Sequence, residues 1–441
     1  MANEKSKTLL IAFDGLSVGD AGNLLRLLPR FSKICSSSEV LPLDSSPFTA
    51  AQPIWAEILT GQSWEENGCC GYARPTRSLN TLQPTSEKDL LVPCTLLGPA
   101  DNSVVINVPI LRPNKLGRVW LSDGSLPLNR FVSPDSLVDD QPFANYKPRP
   151  HSDAAAQSES LTKSIESAVA IESNRLQCAI RLFHDHQWSK MVFRLTLFDL
   201  LAHLLGIDFL EGQDLKCWRV LSEFLELLDE ALNSFCSQPG LRWAAISAFS
   251  HAPCRGTLCL NSFLHKNGLV NLSTGKSGSG TRTARVQATT ALLGIDPPDR
   301  TLSTFEGRLA PHKTVAASPV SGCVFVNRQD IFEDGIITMS EFQQVTENIE
   351  ACLRNGLGER FGFTVQVKGR THAAPSKVPI PEFIVNIPGV EFNDIELGLR
   401  ECDKPRTTHC SNGFLLLPAN GESVKDALKA VQIKDLLDGR N

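Results

Sequence analysis

Four places in the sequence set an acidic or imidazole side chain beside an apolar run: Asp14, Asp199 with His203, His251, and His409. Carboxylate oxygens and imidazole nitrogens gathered at one sheet edge are what a divalent ion needs, at about 2.0–2.2 Å from zinc. Each residue also has a plain structural role open to it. Asp14 could cap the helix after its turn. Asp199 could be a helix-start carboxylate with His203 one turn on, and His251 could be satisfied within a loop. His184-Asp185-His186 offers further donors, but it falls between a helix and a strand and reads as a solvated turn. The joint placement of the four, not any one of them, favours a metal.

The elements that must position these residues follow from the hydrophobic pattern. The first strand and turn span Lys7 to Leu16, whose apolar run lacks alternation, as in a strand buried on both faces. Asp14-Gly15 ends it where open α/β sheets place their ligands. Further strands are expected over 39–43, 103–108, 118–121, 190–197, 243–249, 324–327 and 413–417, and helices over 21–28, 54–59, 339–353 and 424–437. Ile165, Val169, Leu176 and Ile180 mark a helix over 161–183; Leu221, Leu225, Leu228 and Leu232 mark another over 215–235. This alternation predicts an α/β fold, with helices on both faces of a mainly parallel sheet. Residues 126–150 are proline-rich and lack a period, and 273–283 read as a mobile Gly/Ser surface loop. Gly275-Lys276-Ser277 lacks the earlier glycine of a phosphate-binding loop, because position 270 is Val.

The 441 residues are 42% hydrophobic and 21% charged, a soluble globular balance. A net charge of -5 argues against a nucleic-acid partner, and no run reaches the 18 or so apolar residues of a membrane span. The 13 scattered cysteines, with no C-x-x-C pair, suggest buried thiols in a reducing interior. With no leader pattern at position 1, the expected location is cytoplasmic.

Several segments recur in a recognisable order. Ile11-Ala12-Phe13-Asp14-Gly15 precedes Pro53-Ile54-Trp55-Ala56-Glu57-Ile58-Leu59-Thr60-Gly61, Asn67-Gly68 and Asn107-Val108-Pro109. Then come Phe198-Asp199-Leu200-Leu201-Ala202-His203, Phe249-Ser250-His251, a stretch from Asn261 to Leu269, Gly322 to Asn327, and His409-Cys410-Ser411-Asn412-Gly413. Together they resemble the alkaline phosphatase superfamily, near its type I phosphodiesterase/nucleotide pyrophosphatase branch. The resemblance implies a three-layer α/β/α sandwich formed by one domain over 1–441, with a cap inserted at 125–185. It also implies two metal ions clamping a phosphoryl group that a Thr or Ser attacks. One ion would take Asp199, His203 and His409. The other would take Asp14, the nucleophile, and an Asp-His pair whose histidine is His251.

Two positions depart from that pattern. Ala51 stands where the nucleophile belongs, and Ser250 where the aspartate of the pair belongs. Asp14 becomes the second ion's one anionic donor, which weakens that site. Thr49, Ser46 or water would have to replace the nucleophile, although Thr49 taken alone is an ordinary turn or cap residue. The function implied is a metal-dependent hydrolase of phosphoric esters with an altered site. It would use one or two divalent ions, zinc by the donor types, and a small phosphorylated molecule as substrate. The alternative is a catalytically inactive binding or scaffolding protein that retains the fold.

Overall fold

Thr8–Phe13 runs through the centre of a nine-stranded sheet because both of its faces are apolar. Leu9, Ile11 and Phe13 enter one core with Leu24, Phe31, Leu176 and Leu228. Leu10 and Ala12 enter the opposite core with Ile54, Trp55 and Ile58. Each buried Leu, Ile or Phe side chain contributes about 1.5–3 kcal/mol by leaving water, so a polar substitution at Ile11 would disable the strand. A computed structural model describes residues 7–45, 47–98, 102–113, 118–126, 130–148, 161–210, 218–272, 309–320, 322–357, 366–369, 378–392, 399–401, 407–418 and 428–438.

The sheet order is Leu428–Lys429, Glu39–Asp44, Asn412–Leu417, Arg242–Ser247, Thr8–Phe13, Lys190–Leu195, Ser103–Ile106, Val119–Leu121, Val132–Ser133. Thr8–Phe13 is parallel to both neighbours, with Ala12 opposite Arg194 on one side and Ile246 on the other. Their carboxyl ends therefore form one edge, and that edge carries the site. Asn412–Leu417 runs antiparallel to Glu39–Asp44 and to Arg242–Ser247, a direction that a bare apolar run could not disclose. Helices Leu161–Asp185, Leu197–Leu205 and Trp218–Cys236 cover one face, and Ala51–Thr60 lies on the other. A four-stranded antiparallel sheet is added on the second face, ordered Ala316–Val320, Cys323–Val326, Phe383–Asn386, Gln366–Gly369. The result is an α/β/α sandwich with a mainly parallel central sheet.

Some expected boundaries move. Leu161–Asp185, placed by resemblance in a cap, buries Ile165, Val169, Leu176 and Phe183 in the same core as Phe224 and Leu228, so it belongs to the helical layer. The helix expected over 424–437 is described only at Ile433–Asp438, after the short strand Leu428–Lys429. The 273–283 stretch, with Gly275-Lys276-Ser277, lies outside the described residues, as does Ser46. Among the described residues no helix is long and apolar enough to cross a membrane.

Candidate metal centre

Lys190–Leu195 delivers the chain to the site edge, where Leu197–Leu205 begins at once with Thr196 as its N-cap. The Glu172 carboxylate accepts from the Thr196 N–H at 3.0 Å and from its hydroxyl at 2.7 Å, fixing where the helix starts. Asp199 lies in the first turn and His203 one turn on, so both project from one helix face. Gly15 makes the close approach possible. Its φ is +100°, and a Cβ there would stand 2.5 Å from the Asp199 Cα. Only glycine fits both conditions.

The other two histidines come from a ladder the sequence pattern did not reveal. Ser250–Pro253 pairs antiparallel with Thr407–Cys410 and sets His251 directly opposite His409. Phe249 packs its ring 4.5 Å from that of His409. Asp199 Oδ1 lies 2.9 Å from His251 Nε2, 3.0 Å from His409 Nε2 and 3.7 Å from His203 Nε2. His203 Nε2 and His409 Nε2 are 3.0 Å apart. One donor atom from each of the four residues falls within 4.8 Å of all the others. The His251 side chain is 2% exposed and that of His203 is 41% exposed, so solvent meets the cluster on the His203 side.

Thr407 touches both rings through their Nδ1 atoms. Its hydroxyl donates to the Ala202 carbonyl at 3.2 Å, which uses its only proton. Toward His251 Nδ1 at 3.1 Å and His203 Nδ1 at 3.4 Å it can then only accept. With an ion bound, both rings would then carry their proton on Nδ1 and offer it a bare Nε2; without one, His251 Nε2 donates to Asp199 Oδ1 at 2.9 Å and the Thr407 hydroxyl turns its proton to His251 Nδ1. Acceptor atoms facing one another at about 3 Å repel unless a cation sits among them. One carboxylate oxygen and three imidazole nitrogens suit a zinc-type ion. Without an ion, a proton must serve instead. Burial opposes charging His409, but the adjacent Asp199 carboxylate overcomes it and raises this ring above its ordinary value. Desolvation, aided by His409 and His251, pushes His203 down to about 4 against the pull of Asp199. Burial alone would raise Asp199; the His409 charge and the bonds from His251 and His409 hold it well below the usual carboxylate range.

The structure thus gathers Asp199, His203, His251 and His409, and the remaining expected residues are not among the converging donors. Asp14 is fully buried, with Oδ1 accepting from the Ala248 N–H at 3.0 Å and Oδ2 from Trp55 Nε1 at 3.1 Å and Arg194 Nε at 2.5 Å. Its carboxylate clamps neighbouring strand ends together and is not one of the four converging donors. Ser250 turns its hydroxyl to the Cys410 sulfur, 2.9 Å away. Ala51 opens the Ala51–Thr60 helix with no side-chain cap. Half-buried Thr49 lies beside the cluster, with a hydrogen bond between its main chain and the His409 ring. Asp185 pairs with Arg181, and His184 Nε2 reaches Ser234 Oγ at 3.3 Å, so that tripeptide is apart from the centre. Sequence reasoning missed Thr407 and Arg194. An arginine inside the apolar run Met191 to Leu195 was the readable signal for the second, because a charge is buried there only with a partner.

The chain is similar in structure to phosphonoacetate hydrolase from Sinorhizobium meliloti 1021, solved with phosphonoformate and with phosphonoacetate. The two share 13% identity over 98% of this chain and 95% of that one, with a TM-score of 0.57. Murine ectonucleotide pyrophosphatase/phosphodiesterase 5, solved with AMP, aligns over 98% of this chain and 94% of its own at 12% identity, with a TM-score of 0.49. No protein-family model and no curated protein matches the sequence. The fold is alkaline phosphatase-like.

Proposed function

We propose that this chain is a metal-dependent hydrolase of phosphoric esters, phosphodiesterase/nucleotide pyrophosphatase-like in type, with an altered site that holds a divalent ion. The convergence of Asp199, His203, His251 and His409 within 4.8 Å carries the reading. When bound, the ion supplies Lewis-acid charge to a phosphoryl oxygen and acidifies water. Asp199 provides the fixed negative charge. Thr407 keeps the Nε2 atoms of His251 and His203 free of protons and aimed at the ion. His203 closes the solvent-facing side, where a small phosphorylated molecule would enter. Position 51 offers a methyl group, so the attacking oxygen comes either from the Thr49 hydroxyl, whose main chain bonds to the His409 ring, or from water.

A second reading has its own observation. Four protein donors fill the tetrahedral shell of a structural zinc, whereas catalytic sites keep one position open. Together with Ala51, this favours a binding protein that retains the fold without turnover. Protein reconstituted with Zn²⁺ or Mn²⁺ and offered phosphomonoesters, phosphodiesters and nucleotides separates the two. Metal-dependent hydrolysis abolished by His203→Ala supports the enzyme. Silence with the ion bound supports the binder, and failure to bind any ion contradicts both.

A further inference from the structure

Beside the metal cluster lies a buried ion pair that the chemistry above does not use. Asp14 extends from the first strand on the same face as Leu10 and Ala12, and Arg194 stands opposite Ala12 in register on the next strand. The Asp14 side chain is 0% exposed and that of Arg194 is 8% exposed. Arg194 is held from two further directions. Its Nη1 donates weakly to the Asn107 carbonyl at 3.5 Å, and its own carbonyl accepts from Asn107 Nδ2 at 3.0 Å. With Trp55 Nε1 and the Ala248 N–H also in place, both Asp14 oxygens are engaged.

A second divalent ion would need those oxygens and would have to sit against a guanidinium that stays protonated in proteins. Like charges at contact distance in a buried site repel strongly. The other donors such an ion would draw on are also committed. Ser250 is neutral and bonded to Cys410, and His251 Nε2 is turned to Asp199. Resting on the functional reading above, we infer that Arg194 takes the place of a second metal ion. Its guanidinium neutralises Asp14 permanently, Asp14 is a clamp and not a ligand, and the chain binds one divalent ion.

Metal counting tests this without reference to activity. Protein stripped with a chelator, loaded with excess Zn²⁺ and desalted is assayed for zinc per chain, with a calorimetric titration alongside. The wild type is expected to hold one ion. Asp14→Asn, which keeps one acceptor oxygen for the Ala248 N–H and gives up the one that Trp55 and Arg194 share, is expected to hold one ion with affinity within about threefold, whereas Asp199→Asn loses about tenfold or more. Two ions in the wild type, or a tenfold loss in Asp14→Asn, overturns the inference while leaving the functional reading intact. No ion at all overturns both. Should Asp14→Asn fail to fold, the wild-type stoichiometry decides alone.

Discussion

Replacing Thr407 with valine removes one hydroxyl and almost no volume, so its effect isolates the orientation of the histidine ligands. The hydroxyl serves three groups: the Ala202 carbonyl at 3.2 Å, His251 Nδ1 at 3.1 Å and His203 Nδ1 at 3.4 Å. His203 is open to solvent and can turn its Nδ1–H to water at little cost. His251 is buried, and its stranded Nδ1–H should cost about 1–3 kcal/mol. The alternative tautomer escapes that cost only by placing the proton on Nε2, where the metal binds. Either way, zinc affinity falls by about 10–100-fold, as for other partners that orient metal-bound histidines. At 1.4 kcal/mol per tenfold, that is about 1.4–2.8 kcal/mol, within the range of the lost hydrogen bond. Competition against a chromophoric chelator measures it. Thr407→Ser should bind within about threefold of the wild type, because the hydroxyl returns. A Thr407→Val protein that folds and binds zinc as tightly as the wild type would refute the assignment of tautomers.

Removing the Arg194 charge leaves the Asp14 carboxylate buried and unpaired, so Arg194→Met should lose about 3–5 kcal/mol in urea unfolding. Asp14→Asn with Arg194→Met should lose much less than the sum of the single changes; simple additivity would contradict the pairing. Metal binding should be proton-linked, because Asp199 raises His409 and an arriving ion must displace the proton it holds. Affinity is then full above the His409 value and falls by about tenfold per pH unit below it. In the pH range where affinity falls, calorimetry in buffers of different ionisation enthalpy should find about one proton released per ion, and zero there would contradict the scheme. Burial raises Glu57 to about 7, against the opposing bond from the Trp64 N–H. The folded state therefore keeps a proton that the unfolded chain gives up near pH 4.5, so stability is full below that value and declines as pH rises through about 7. Glu57→Gln should flatten this decline and gain on the order of 2–3 kcal/mol at pH 8 relative to the wild type; unchanged slopes in urea melts at pH 5 and pH 8 would contradict it.

Much of the architecture was legible because burial on two faces leaves a strong mark. The run from Thr8 to Phe13 could hardly be anything but a central strand, and helical spacing fixed Leu161–Asp185 and Trp218–Cys236 closely. Direction was not legible. Asn412–Leu417 reads the same whether it is parallel or antiparallel, and that choice governs how His409 meets His251. The site was visible as a list of residue types but not as one constellation. Asp14 carries the same signal whether it binds a metal or an arginine, and the arginine that decides between them lies 180 positions later in the chain. Thr407 gave no signal at all, because its role depends on a short ladder whose partner strand is more than 150 residues away.

The central claim is that one divalent ion sits among Asp199, His203, His251 and His409. X-ray absorption at the zinc edge of the reconstituted protein tests it most directly. The prediction is three imidazole nitrogens and carboxylate oxygen at about 2.0–2.2 Å, with the imidazole contribution reduced by His251→Ala and unchanged in Asp14→Asn. A shell containing sulfur near 2.3 Å, or one without imidazole, would contradict the account.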